Sequence, residues 1–77
     1  MSDVLTDLFS RCLDVPAGDL SEESSPDNTP QWDSMAAVQL VTEIEATFDV
    51  QLRTRDIMKM RTIGLARTVL RDKGVAV

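Results

Sequence analysis

Residues 32–49 read Trp32-Asp33-Ser34-Met35-Ala36-Ala37-Val38-Gln39-Leu40-Val41-Thr42-Glu43-Ile44-Glu45-Ala46-Thr47-Phe48-Asp49. Ala37, Val38, Val41, Ile44 and Phe48 recur every three or four residues, with Leu40 beside them, as one face of an amphipathic helix requires. The helix is expected to begin at Asp33 or Ser34 and to end at Phe48. Asp33 suits its N-cap, because a carboxylate there accepts from an unpartnered backbone N–H. Glu43, Glu45 and Asp49 fall on the polar side or near the end. Ser34 then lies in the first turn, where backbone N–H groups lack partners and the helix dipole is positive, a favourable place for a phosphate. Taken alone, an Asp-Ser pair at a helix start is more often a simple cap than a modified site.

Outward from this helix the pattern stays helical. Val4, Leu5, Leu8, Phe9, Cys12 and Leu13 form a stripe over residues 3–13. Ser2 is expected to cap that helix, with Asp3 and Asp7 near its positive end and Pro16 and Gly18 marking its stop. Residues 15–33, with Pro16, Gly18, Pro26 and Pro30, form a long connection whose apolar anchors are Leu20 and Trp32. Thr54 is expected to cap a short helix running to Met60. Thr62 caps a last one, with Ile63, Ala66, Val69 and Leu70 as its stripe and Leu65 at its flank. Arg67, Arg71 and Lys73 complement its negative end, and Gly74 suits the residue just past it. No strand pattern competes. The fold class is all-α: a small bundle of three main helices and one short one, with a long loop after the first, in a single domain over residues 1–77.

Composition narrows the chemistry. The chain has no histidine and one cysteine, Cys12. That rules out an internal disulfide and any Ser-His-Asp or Cys-His triad, and leaves no set of soft ligands for a structural zinc. Cys12, on the apolar face of the first helix, is expected to be an inert buried thiol. No apolar run is long enough to span a bilayer, and Met1–Phe9 lacks the basic start of a signal peptide, so a cytoplasmic protein without membrane insertion is expected. Residues 1–49 carry eleven Asp/Glu against Arg11 alone, whereas residues 50–77 carry seven Lys/Arg against two Asp. Two oppositely charged halves can simply pack together, or they can sort partners by charge. The net acidity argues against nucleic acid. Nothing in the pattern calls for an oligomer, so a monomer is expected.

From Trp32 to Ile63 the chain resembles the acyl carrier protein family. The matching residues are Asp33-Ser34-Met35, then Val38, Leu40, Val41, Glu43, Ile44 and Glu45, then Phe48-Asp49, Leu52 and Thr62-Ile63. The resemblance implies a four-helix bundle and a 4'-phosphopantetheine arm, supplied from coenzyme A by a phosphopantetheinyl transferase and joined to Ser34 beside Asp33 and Met35. Acyl groups would ride on the arm as thioesters, and the chain itself would not be an enzyme. No metal site is implied. Partner contacts are expected at Glu43, Glu45, Asp49, Arg53 and Arg55, and an acyl cavity at Val38, Val41, Leu52, Ile57, Met60 and Ile63, with Met58 close by.

The sequence also departs from the familiar bacterial fatty-acid carriers. Ala36, Gln39, Ala46 and Thr47 are neutral where those are often acidic, and Arg53, Arg55, Lys59 and Arg61 are basic where those are acidic. A specialised lipid, polyketide or secondary-metabolite pathway, with its own acyl-activating ligase, ketosynthase or acyltransferase, is the expectation. An aminoacyl, D-alanyl or peptidyl carrier, and a helical interaction module without an arm, are the alternatives.

Overall fold

The computed structural model describes residues 3–77. The expected cap at Ser2 lies outside them; the cap seen is Asp3, whose Oδ1 accepts from Thr6 N–H at 2.7 Å. Helix α1 runs Val4–Leu13 and buries Leu5, Leu8, Phe9 and Leu13. It stops because Asp14 turns left-handed at φ 56°, with its N–H on the Ser10 carbonyl. The Ser10 hydroxyl then donates to the Val15 carbonyl at 2.6 Å and seals the end. Pro16 and Gly18 follow this stop rather than making it; a single 3-10 turn occupies Ala17–Asp19. Cys12 is half-buried rather than fully so, and burial, followed by the Glu43 charge, raises its thiol pKa above the ordinary value.

The connection that follows is long but well supplied with hydrogen bonds. Ser24 Oγ accepts from Ser21 N–H, and Asn28 Oδ1 accepts from Ser25 N–H while its Nδ2 donates to the Glu23 carbonyl. Such short polar side chains stand in for secondary structure where the chain must turn. Ser24 and Thr29 are buried, and Trp32 packs edge-on against Phe9 with ring centroids 5.1 Å apart. Trp32 is therefore an anchor that closes the loop onto α1.

Helix α2 spans Ser34–Phe48, α3 spans Thr54–Lys59 and α4 spans Ile63–Asp72. Helix α1 packs against both α2 and α4, and α3 leans on α4. The α2 stripe differs from its expected centre: Ala36, Leu40 and Ile44 are fully buried, whereas Val38 is 68% exposed. Val38 precedes Leu40 by two residues, about 200° around a helix of 3.6 residues per turn, so it cannot share the face that meets α1. Thr54 is the first residue of α3 rather than its cap. Asp56 supplies the closure instead, accepting from Arg53 N–H at 3.0 Å and pairing with Lys73.

Helix α4 follows its expected pattern, with the Thr62 hydroxyl accepting from Leu65 N–H and Ile63, Ala66, Val69 and Leu70 buried. Gly74 sits just past its end at φ 89°, a conformation that disfavours a side chain. Arg67, expected at the helix end as a dipole partner, does something else. It is only 8% exposed. Its guanidinium donates twice to Glu22, at 2.7 and 2.9 Å, and pairs with Asp3 at 2.8 Å. Alongside it, Ile63 N–H donates to the Ser24 carbonyl and Gly64 N–H to the Glu22 carbonyl. A Cβ on Gly64 would come within 3.1 Å of that Glu22 oxygen, so a side chain here would push loop and helix apart by a few tenths of an ångström.

The clamp has a stability consequence. Arg67 holds the Glu22 carboxyl below its ordinary value of 4.5. For Asp3, partial burial pushes the carboxyl up, but the Thr6 N–H and Arg67 outweigh it and hold it below 3.8. Carboxylates with lowered folded-state pKa stabilise fully above their unfolded values, and that stabilisation is lost as pH falls through the folded ones. Replacing Glu22→Ala removes two charge-assisted bonds and should cost about 2 kcal/mol, lowering the melting temperature by roughly 8–16 °C at pH 7. The gap between native chain and variant should narrow as pH drops below about 4.5, the ordinary Glu22 value. Thermal unfolding followed by circular dichroism from pH 7 to pH 3 measures both; a gap independent of pH would mean that the carboxylate charge plays no part.

Candidate functional site

Ser34 is exposed as the first residue of α2. Three features of the local chain put it there. Asp33 is extended and its Oδ1 accepts from Ala36 N–H at 2.9 Å. Trp32, one residue earlier, is buried against Phe9 and so fixes where the loop delivers the helix start. Ala36 points inward and is buried, which anchors the first turn.

Hydrogen bonding at this helix start is incomplete, as it is at the starts of α1 and α3. Ala36 N–H goes to the Asp33 side chain and Ala37 N–H to the Asp33 carbonyl. Among the described residues, Ser34 N–H and Met35 N–H have no partner. The start of α4 is the contrast. Ile63 and Gly64 give their N–H groups to loop carbonyls, Leu65 to the Thr62 hydroxyl and Ala66 to the Thr62 carbonyl. One helix start is sealed by the fold; the other presents two donors and the positive dipole end beside an exposed hydroxyl. A phosphodiester on Ser34 fits those donors.

A cavity of about 420 Å³ opens between α2, α3 and the long loop. Phe9, Trp32, Leu40 and Ile44 come from the core; Ala37, Val41, Ile57, Met58 and Met60 line the two helices. Of the residues expected in an acyl cavity, Val41, Ile57 and Met60 line it, and Met58 joins them. Val38, Leu52 and Ile63 do not. Val38 faces outward, Ile63 is fully buried in the core, and Leu52 lines a separate shallow groove with Arg53 and Arg55. Trp32, Ala37, Leu40, Ile44 and Arg61 were not expected in the cavity, and neither were Phe9, Pro26 and Asp27. Phe9 sits on α1 and the other two on the loop, and only the folded chain brings them to α2. The Trp32 next to Asp33 was the one available hint.

The residues expected to meet partners divide into two sets. Glu45 is half-buried and its Oε2 accepts from Leu52 N–H at 2.8 Å, tying the α2–α3 connection. Asp49 ends α2 in a left-handed conformation at φ 52°. Glu43 is half-buried. By contrast Arg53, Arg55, Lys59 and Arg61 are all exposed, and none forms an ion pair among the described residues. Met35 at 83%, Val38 at 68% and Met58 at 70% exposed add apolar surface on α2 and α3. No group of carboxylates and thiols is placed to hold a metal ion, and no helix is long and apolar enough to cross a membrane, among the described residues.

Residues 3–66 match the family model described as phosphopantetheine attachment site. Among solved structures, the chain is similar to one described as an acyl carrier protein from Mycobacterium tuberculosis. The two share 25% identity and superpose with a TM-score of 0.78, covering 90% of this chain and 92% of the other. No curated protein matches the chain significantly.

The cap geometry gives a direct expectation. Asp33→Ala removes the acceptor for Ala36 N–H and should lower stability by about 1 kcal/mol, or roughly 4–8 °C in melting temperature. Thermal unfolding of the variant checks this; an unchanged melting temperature would mean that Asp33 does not cap α2.

Proposed function

The chain belongs to the phosphopantetheine attachment-site family, as an acyl-carrier-like domain of four helices, and on that premise we propose that Ser34 bears the arm and that the chain serves a specialised lipid, polyketide or secondary-metabolite pathway. The observation that carries the attachment is the exposed Ser34 hydroxyl beside two unpartnered backbone donors at the start of α2. When bound, the 4'-phosphopantetheine group supplies a terminal thiol that holds an acyl group as a thioester.

The chain's own residues do the rest. Asp33 holds the first turn in place through Ala36 N–H, so that Ser34 N–H and Met35 N–H remain available to phosphate oxygens. Met35 stays outside the core and leaves the attachment point accessible. Proton removal from the Ser34 hydroxyl falls to a base on the transferase, because this chain has no histidine to do it. The chain is thus a non-catalytic carrier, a single domain that acts as a protein-bound substrate.

Partner choice follows from charge. Of the three acidic groups expected to meet partners, Glu45 is engaged on Leu52 N–H and Glu43 is half-buried, whereas the four cations of the α3 region are exposed. With Met35, Val38 and Met58 nearby on the two helices, they suit acyl-activating, ketosynthase or acyltransferase partners that present an acidic rim around an apolar spot.

Intact mass after incubation with coenzyme A, magnesium and a broad-specificity phosphopantetheinyl transferase tests the attachment. The native chain should gain one phosphopantetheine and Ser34→Ala none; a gain on both would move the site elsewhere. The partner reading is tested by turnover of the loaded chain with housekeeping fatty-acid ketosynthase. Turnover should fall at least about tenfold below that of the enzyme's own carrier, equivalent to ~1.4 kcal/mol. The Arg55→Glu, Lys59→Glu double variant should narrow the gap. Equal use of the native chain would overturn the specialised pathway.

A further inference from the structure

Between Leu52 and Ile63 the chain leaves the core. Those two residues are buried, yet none of residues 53–62 is: Asp56, Met60 and Thr62 are half-buried and the other seven are exposed. The ends of this strap are fixed. Leu52 N–H is held by Glu45 at 2.8 Å, and Ile63 N–H donates to the Ser24 carbonyl at 3.1 Å. Between them lies α3, and the strap's Ile57, Met58 and Met60 line the cavity together with Ala37 and Val41 of α2. Part of the wall of an apolar cavity is thus made by a segment with little apolar grip of its own. Segments of that kind open locally, far below the free energy of global unfolding.

The polar hold on the strap is a single ion pair. Lys73, at the end of α4, places its ammonium 3.0 Å from Asp56 Oδ2, the same oxygen that accepts from Arg53 N–H. Among the described residues this is the one polar contact that ties residues 53–62 to anything beyond the first turn of α4. The Lys73 and Asp56 side chains are 27% and 14% exposed, so water competes with the pair less than it would at an open surface. Asp56 is also the strap's one carboxylate, set among Arg53, Arg55, Lys59 and Arg61. No second acid on the strap can replace it. Resting on the reading that Ser34 carries the arm, we propose that residues 53–62 are a lid over the cavity, and that the Lys73–Asp56 pair is the latch that sets how often cargo held there meets solvent.

Lys73→Met breaks the latch and leaves the Arg53 N–H bond to Asp56 in place, whereas Lys73→Arg keeps a cation within reach. The six residues of α3 are too few to stay helical in water once undocked, so each opening exposes the amides of Ile57 to Met60. Residue-resolved hydrogen exchange on the unloaded chain should show these amides exchanging faster than those of Leu8 and Leu70, at a rate that low urea leaves unchanged. In Lys73→Met they should exchange roughly two- to fivefold faster still, the range for one lost ion pair, and in Lys73→Arg close to the native rate. The full chain is then loaded from octanoyl coenzyme A with the broad-specificity transferase, and loss of the acyl group to hydroxylamine is followed by intact mass. That loss should quicken in Lys73→Met by a similar factor. Strap amides that exchange only with the core, at the same rate and with the same urea dependence, would overturn the lid. Native exchange in Lys73→Met would overturn the latch, and faster exchange without faster acyl loss would show that the strap does not cover the cargo. Failure to load at all would overturn the carrier reading and this inference with it; normal loading without these changes would overturn this inference alone.

Discussion

The buried guanidinium of Arg67 is the constraint on which the rest of the molecule depends. A charge taken out of water must be fully partnered, and Arg67 finds its partners in Glu22 and Asp3. Asp3 lies at the start of α1 and Glu22 in the middle of the long loop. Asp3 uses one carboxylate oxygen to cap α1 and the other to meet Arg67, so capping and tertiary pairing are one event. Glu22 uses its side chain on Arg67 and its backbone carbonyl on Gly64 N–H. One residue of α4 thereby fixes the start of α1 and the middle of the long loop. Without such an attachment a loop of this length would have no reason to occupy one place over the bundle.

What the loop does once held explains the site. Its last residues, ending in the buried Trp32, deliver Asp33 and Ser34 to the start of α2. Its middle supplies Pro26 and Asp27 to the cavity beneath. The same carbonyls that anchor it use up the first two donors of α4. Hence the start of α4 is closed by the loop, whereas the start of α2, which bears the serine, keeps two backbone donors without partners among the described residues, as do the starts of α1 and α3. The positive end of α2 is left to solvent and to whatever anion the exposed hydroxyl carries.

The polarised charge of the chain also takes on a different meaning in three dimensions. Part of the acidic first half serves the scaffold: Asp3 and Asp33 cap helices, Glu22 clamps Arg67, and Glu45 holds Leu52 N–H. The two halves attract at Arg67. The surplus of the second half collects around α3, where Arg53, Arg55, Lys59 and Arg61 lack ion-pair partners among the described residues. Charge that reads as two opposed halves in sequence is divided differently by the fold: some acidic side chains become scaffold, others such as Asp7, Asp14 and Glu23 stay exposed, and the cations around α3 face solvent.

Periodicity alone determined that the chain is helical, where α2 and α4 lie and that Thr62 and Asp33 cap them, because those features depend on residues within four positions of one another. The Asp33-Ser34-Met35 motif at a helix start, within a pattern extending to Ile63, was likewise legible in the chain and led to the family. Tertiary structure decided which side of α2 is buried: Val38 is more apolar than Ala36, yet Val38 is 68% exposed and Ala36 is buried. It also decided that Asp3 rather than Ser2 caps α1 and that Arg67 is a clamp. Phe9, Pro26 and Asp27 belong to the cavity for the same reason. Each of these depends on groups distant in sequence, Glu22 and Arg67 being 45 residues apart. A local pattern holds no record of such pairs, because the burial that makes them necessary exists only once the helices have packed.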